Sequence, residues 1–192
     1  MFKWVNLFLI LYKHTTKIEM RVIMYIRQTK KSEIPEVMKL IGYGRQLQRK
    51  NGNNIQWPNH YPAASDIETD ILNNHSYVCV IDDQDQTDLP EETIVATMCI
   101  QSGEDPTYQE INGEWLNDRP YVTIHRIASN QQINGAGSFC MQYVIDHYDN
   151  IKIDTHRKNT SMIALIEKFG FQHCGDIIIE DGTPREVFQY SK

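Results

Sequence analysis

Two groups of residues in this sequence have types and spacing suited to chemistry. The first is the segment 132–138, QINGAGS, in which Gly135 and Gly137 separate a β-rich run from a helical one. Glycines there let backbone N–H groups close on an anion, and the dipole of the following helix favours negative charge. That dipole alone contributes only about 0.3–1 kcal/mol per charge, so an anion site depends on several N–H donors converging. A tight turn that holds nothing is the competing reading of the same glycines. The second group is His125, Arg126, Asp154 and His156, carried on the β-rich runs 121–128 and 151–156. An imidazole can accept a proton, directly or through water, while a carboxylate nearby fixes a cationic group. Arg126, Asp154 and His156 can equally form a structural polar network between strands.

The loop excludes two familiar phosphate motifs. A P-loop needs Lys followed by Ser or Thr after its last glycine, where Ser138 and Phe139 stand here. A dinucleotide fingerprint needs a third glycine, and Cys140 occupies that place, although Asp154 lies at a suitable distance to imitate the ribose-binding acid.

The elements that position these residues follow from hydrophobic spacing. A strand at 25–28 leads to Ser32, an expected helix cap, after which Ile34, Val37, Met38 and Ile41 repeat at helical intervals. Residues 50–62 read as a loop, with Trp57 and Tyr61 exposed where they can line a pocket. Ser65 and Glu68 suggest a capping box for a second helix ending near Leu72. Strands at 77–82 and 93–100 flank an acidic connection that reads as a solvated loop, and a polar stretch containing Trp115 precedes the strand at 121–128. Phe139, Cys140, Tyr143 and Val144 mark a third helix, and Met162, Leu165, Ile166 and Phe169 a fourth, closed by Gly170. Strands at 171–179 and 187–190 end the chain. The order β-α-α-β-β-β-α-β-α-β-β, without repeats, describes one mixed α/β domain.

Charge is uneven: residues 1–31 carry +6 and the remainder −12, for a total of −6 over 192 residues. An acidic chain does not suit phosphate neutralisation, so no nucleic-acid partner is expected. Residues 1–23 read as a separate basic and apolar extension: disordered, an interfacial anchor, or upstream of a start at Met20 or Met24. Its apolar run is too short to span a bilayer, so no transmembrane segment is expected. The domain is assigned to 24–192. Cys79, Cys99, Cys140 and Cys174 lie in apolar runs without metal-ligand spacing, which suits reduced core cysteines, no metal site and a cytoplasmic protein.

Gln132, Gly135 and Gly137 match the pattern Q/R-x-x-G-x-G/A, and Asn159 followed by ALIEKFGF at 164–171 supplies a second region. Together they resemble the acetyl-CoA-binding signatures of the GNAT superfamily of N-acetyltransferases, over residues 24–192. The resemblance implies an α+β fold whose central, mixed, mostly antiparallel sheet has about seven strands flanked by about four helices. It implies that Ile127, Ala128 and Ser129 bind the pantetheine arm through their backbone, and that Gln132, Ile133, Asn134, Gly135, Ala136, Gly137 and Ser138 wrap the pyrophosphate. Asn159 then approaches the cofactor from the other side. The strands 121–128 and 151–156 are expected to splay around the thioester.

The implied reaction is acetyl transfer from acetyl-CoA to a primary amine of a small molecule or peptide by direct attack. A lysine-like amine must give up roughly 4–5 kcal/mol to be neutral at pH 7. His125 is the expected base, Asp154 its companion or a holder of cationic substrate, and Trp57 and Tyr61 the substrate-side residues. Many members of the family place a Tyr acid where Ile166 stands, so a non-catalytic acyl-CoA-binding module is the alternative. Cys174 reads as a buried structural thiol, and Phe188 and Tyr190 as core. Acetyl-CoA and an amine acceptor are the expected partners, with a homodimer left open.

Overall fold

Alternating apolar residues build a sheet covered on both faces. The computed structural model describes residues 24–81, 89–90 and 92–192; residues 1–23, read above as an extension, and most of the acidic connection lie outside the described residues. In chain order the elements are β1 (Met24–Gln28), α1 (Ile34–Lys50), α2 (Ala64–Leu72), β2 (Ser76–Ile81), β3 (Ile94–Ser102), β4 (Asn112–Gly113), β5 (Val122–Ser129), α3 (Ala136–His147), β6 (Asn150–Thr155), α4 (Thr160–Lys168), β7 (Gln172–Ile178) and β8 (Pro184–Ser191). Short 3₁₀ turns at Lys31–Glu33 and Pro106–Tyr108 complete the list. In β2, Val78 and Val80 pack with Val37, Ile41 and Ile67 of α1 and α2. Cys79 and Ile81 point the other way, into a core shared with Cys140, Met141 and Val144 of α3 and Ile166 of α4. Each such fully buried aliphatic side chain contributes about 1.5–3 kcal/mol.

The described strands form one eight-stranded sheet in the order β1-β2-β3-β5-β6-β8-β7-β4. Its neighbours are antiparallel except β5 and β6, which run parallel. The short β4, not expected from the sequence, adds an eighth strand where Gly113 lies so close to Gly175 that a Cβ on either would strike backbone.

Helix starts differ from expectation. The Glu33 carboxylate accepts the Lys30 N–H at 2.7 Å, so a 3₁₀ turn, not Ser32, opens α1. Asp66 accepts the Ala63 N–H at 2.6 Å, which places the α2 start at Ala64 and leaves Ser65 inside the first turn. Gly170 follows α4 with φ 78°, as its position predicts.

The feature that shapes the site lies in β5. Thr97 of β3 faces Ala128, whereas Cys99 faces His125, so β5 holds one extra residue in that interval. Arg126 takes up the extra length in the left-handed region, φ 51°. The insertion flips the strand: Ile124 is buried on the α3–α4 side and Ala128 on the α1–α2 side, although two-residue alternation alone would put them together. For the same reason His125 and Arg126 do not divide cleanly between opposite faces, and both reach one cavity. Beside the bulge β5 and β6 part. They pair only from Val122↔Ile151 to Ile124↔Ile153, and among the described residues no strand pairs with the rest of β5 on its β6 side.

Arg126 is fixed by Asp70 of α2 through Nε at 2.7 Å and Nη2 at 2.6 Å, with both side chains largely buried. A two-pronged guanidinium–carboxylate contact is the strongest geometry for such a pair. Removing one partner strands the other charge. Asp70→Ala is therefore expected to lower unfolding stability by about 3 kcal/mol in urea titration. A loss below about 0.5 kcal/mol, the size typical of an exposed pair, would contradict this anchoring role.

Candidate active site

The parted strands open into a cavity of about 490 Å³ lined by Ile124, His125, Arg126 and Ile127 of β5 and by Ile153 and Asp154 of β6. Trp57 and Tyr61 from the loop after α1, Tyr108 from the second 3₁₀ turn and Arg185 from β8 complete much of its wall. Trp57 departs from the expected exposed loop aromatic. It is 9% exposed and packs into the α1–α2 core, where a Cβ on Gly44 would meet its ring at 2.6 Å. Tyr61 is more open, and its hydroxyl accepts from Arg126 Nη1 at 3.0 Å.

His125 and Asp154 are brought together, with Nδ1 and Oδ1 3.9 Å apart. His125 Nε2 lies 3.0 Å from Oδ2 of Asp105, a residue that sequence reasoning missed. The His125 hydrogen bond, helped by bonds from Thr107, holds the Asp105 carboxyl down at about 2 against the opposing effect of burial. Ionised at neutral pH, that carboxylate only accepts, so Nε2 carries a proton, and the tautomer this selects for the neutral ring has its lone pair on Nδ1. Asp154, itself an acceptor, leaves that lone pair free. Its Oδ1 instead accepts the Tyr108 hydroxyl at 2.7 Å. Burial, followed by the Asp154 charge, pushes the Tyr108 phenol well above its ordinary value, so Tyr108 keeps its proton.

Other expected residues fall elsewhere. His156 lies past the end of β6, is buried outside the cavity wall, and accepts the Lys158 N–H at 3.1 Å. The network imagined among Arg126, Asp154 and His156 does not form, because Arg126 turns to Asp70. Trp115, in the polar stretch before β5, lies outside the cavity wall; Lys152 Nζ sits 3.9 Å from its ring centroid and 3.9 Å from that of Tyr121. Phe188 and Tyr190 pack in or against the core. Cys174 is buried, and that burial pushes its thiol up. Ile166 is fully buried, so no acid acts from that position.

Of the expected cofactor residues, Ile127 and Asn159 line the cavity, and Asn159 Nδ2 donates to Gln56 Oε1 at 3.1 Å. Ala128 is buried on the α1–α2 side, and Ser129 pairs with Ala96. The loop from Gln132 through Ile133 and Asn134 lies outside the cavity wall and delivers Gly135, φ 89°, as the residue capping α3. The N–H groups of Gly137 and Ser138 have no hydrogen-bond partner among the described residues, as expected in the first turn of a helix. A Cβ built on Gly135 would meet nothing within 4 Å, so the loop is open. Lys168 Nζ reaches Ser138 Oγ at 3.0 Å and brings a cation to the same place.

Asp105, Tyr108, Gln56 and Arg185 were not singled out from sequence. Asp105 before Pro106 reads locally as a turn, and it does cap one by accepting the Thr107 N–H at 2.9 Å. Its approach to His125 depends on the path of the connection between β3 and β5, which no local pattern encodes.

Among solved structures, the chain is similar to an acetyltransferase of the GNAT family from Streptococcus agalactiae, at 31% identity and a TM-score of 0.75 over 88% of this chain and 95% of that one. A protein from Staphylococcus aureus assigned as an acetyltransferase follows at 21% identity and a TM-score of 0.61, over 86% and 97% of the two chains. An acetyltransferase structure from Salmonella typhimurium, solved with its cofactor acetyl-CoA, shares 14% identity and a TM-score of 0.54 over 88% and 93%. No protein-family model and no curated protein matches the sequence. Among the described residues, no helix is long and apolar enough to cross a membrane and no cluster could hold a metal ion.

The Asp105–His125 contact has a definite pH signature. A carboxyl held at about 2 in the fold but near about 3.9 when unfolded stabilises the protein above about pH 4, and that contribution fades as pH falls towards 2. Asp105→Asn should lower the Tm at pH 6 and lose less of it between pH 4 and 2 than the parent does, read by scanning calorimetry. Parallel acid limbs would contradict the assignment.

Proposed function

Since the chain belongs to the GNAT family of acetyltransferases, we propose that it is an N-acetyltransferase that moves an acetyl group from acetyl-CoA to a primary amine in the cavity between β5 and β6, with His125 as base. The observation that carries this reading is His125 Nδ1, which has no hydrogen-bond partner among the described residues, in a ring fixed through Nε2 by Asp105 and facing Asp154 at the parting of the strands.

The residues present suit the cofactor. The open N-terminus of α3, with unpartnered N–H groups on Gly137 and Ser138 and Lys168 nearby, has the donors and charge a pyrophosphate needs. The unpaired edge of β5 at Ile127, Ala128 and Ser129 offers backbone groups to an amide-bearing arm. Gln48 Oε1, buried without a donor on the cavity wall, would be satisfied by an N–H of a bound molecule. Asn159 holds Gln56, which in turn bonds Thr155 Oγ1 at 3.3 Å and keeps that side of the opening in place.

Acetyl-CoA supplies an activated acetyl group as its thioester. Within the chain, Asp154 attracts the ammonium form of the acceptor, which gives one proton through His125 Nδ1 to solvent before the neutral amine attacks, and His125 Nδ1 then receives the second proton that the nitrogen gives up as the C–N bond forms and the C–S bond breaks. Asp105 stabilises the imidazolium so formed across 3.0 Å. The charged ring then holds a proton in the cavity for the departing thiolate, a task for which Ile166 offers nothing. Trp57 and Tyr61 bound the acceptor.

His125→Ala should reduce kcat for acetylation of amines by about 10²–10⁴-fold while leaving acetyl-CoA affinity unchanged in calorimetric titration. Tight binding with no thiol release across an amine panel, by parent as well as variant, would instead favour a non-catalytic acyl-CoA-binding module, the reading suggested by the vacant acid position at Ile166. Absence of binding would overturn both.

A further inference from the structure

Arg185, the second residue of β8, is 3% exposed yet lines the cavity. Nη1 is satisfied, donating to Thr183 Oγ1 at 2.8 Å and to the Pro184 carbonyl at 3.0 Å. Nε and Nη2 donate to no group among the described residues. The nearest carboxylate, Asp154, stands 3.9 Å from Nε, beyond hydrogen-bond reach. The Nε–Nη2 edge opens on the cavity, where it is available to a ligand, and arginine keeps its charge there because it does not lose its proton. That Nε–Nη2 edge presents two parallel N–H groups, the counterpart of the two oxygens of a carboxylate.

The surroundings define what else the bound molecule carries. Asp154 stands between two stations: Oδ1 is 3.9 Å from His125 Nδ1, and Oδ2 is 3.9 Å from Arg185 Nε. A proton acceptor and an unmatched guanidinium are thus separated by one carboxylate group, a span that a single small molecule can bridge. Exposed Glu180 and Asp181, in the turn before β8, add negative charge at the edge of the same cavity. They oppose a second acidic group on the ligand.

Resting on the acetyltransferase reading of this cavity, we propose that the acceptor is an amino acid with a neutral or basic side chain, its carboxylate held by Nε and Nη2 of Arg185 and its amino group placed between Asp154 and His125. Arg185 then sets specificity, and Asp154 places the ammonium beside His125.

The test compares each of several neutral and basic amino acids with its primary amide and its decarboxylated amine as acceptors, followed by thiol release from acetyl-CoA. The parent protein should favour the free acid over both analogues by about 10–100-fold in kcat/KM, as expected for a charge-assisted pair. Arg185→Gln should bring the three within about threefold, and Arg185→Lys should retain part of the preference, because a point charge replaces the fork. These ratios do not depend on how much of a variant is folded, since the analogues compete for the same molecules. Amides or simple amines acetylated as well as the acids by the parent, or a preference that survives Arg185→Gln, would overturn the proposal while leaving acetyl transfer intact. Thiol release from no amine at all would instead overturn the acetyltransferase reading on which it rests.

Discussion

A single residue in a left-handed conformation, Arg126, governs the geometry on which the site depends. Its insertion into β5 turns the strand over, so that residues before it feed one core and residues after it feed the other. Next to it β5 leaves β6, and the exposed edge and the cavity both begin there. A non-glycine residue in this region costs of order 1–3 kcal/mol and persists only where its surroundings hold it. The two-pronged ion pair with Asp70 and the bond to Tyr61 are what hold it here. The strain therefore sits at the site and is offset by an anchor on α2.

Around that opening the charges are arranged in a chain of alternating sign: Asp105, His125, Asp154 and Arg185. Only the first link is a direct hydrogen bond; the two 3.9 Å gaps that follow leave Nδ1 of the imidazole and one edge of the guanidinium without partners. Both groups open on the cavity, where a ligand can reach them. An arrangement with gaps of this kind suits a site whose partners arrive with the ligand. Tyr108, with its proton retained by burial, fixes Asp154 without filling either gap.

Much of this was legible in the sequence, for reasons that can be named. Helical spacing in Val37, Ile41 and Ile166 and alternation in β2 follow directly from burial on one face or two, so the elements and the α+β architecture were readable. The closing glycine at 170 was readable because a left-handed residue ends that helix. His125 and Asp154 were chosen because the resemblance implies that the strands carrying them splay around one thioester. Local pattern failed wherever the answer lay between distant segments. A bulge has no signature when the inserted residue is an arginine, and strand alternation by itself sets His125 and Arg126 on opposite faces, where the structure gives them one cavity. Trp57 looked exposed in a polar loop, yet Gly44 on α1 leaves the space that buries it. Asp105 and Arg185 were invisible because their roles arise only after the chain between β3 and β5 and the β7–β8 hairpin have closed on the cavity.

The central claim is that the parted edge of β5 and the open end of α3 together form one cofactor slot. Amide hydrogen exchange of the full-length chain, resolved by residue and measured with and without acetyl-CoA, tests it most directly. The account predicts that acetyl-CoA slows exchange at residues 127–129 and 135–138, the edge of β5 that faces away from β3 and the start of α3. Protection confined to other segments, or none at saturating acetyl-CoA, would contradict it.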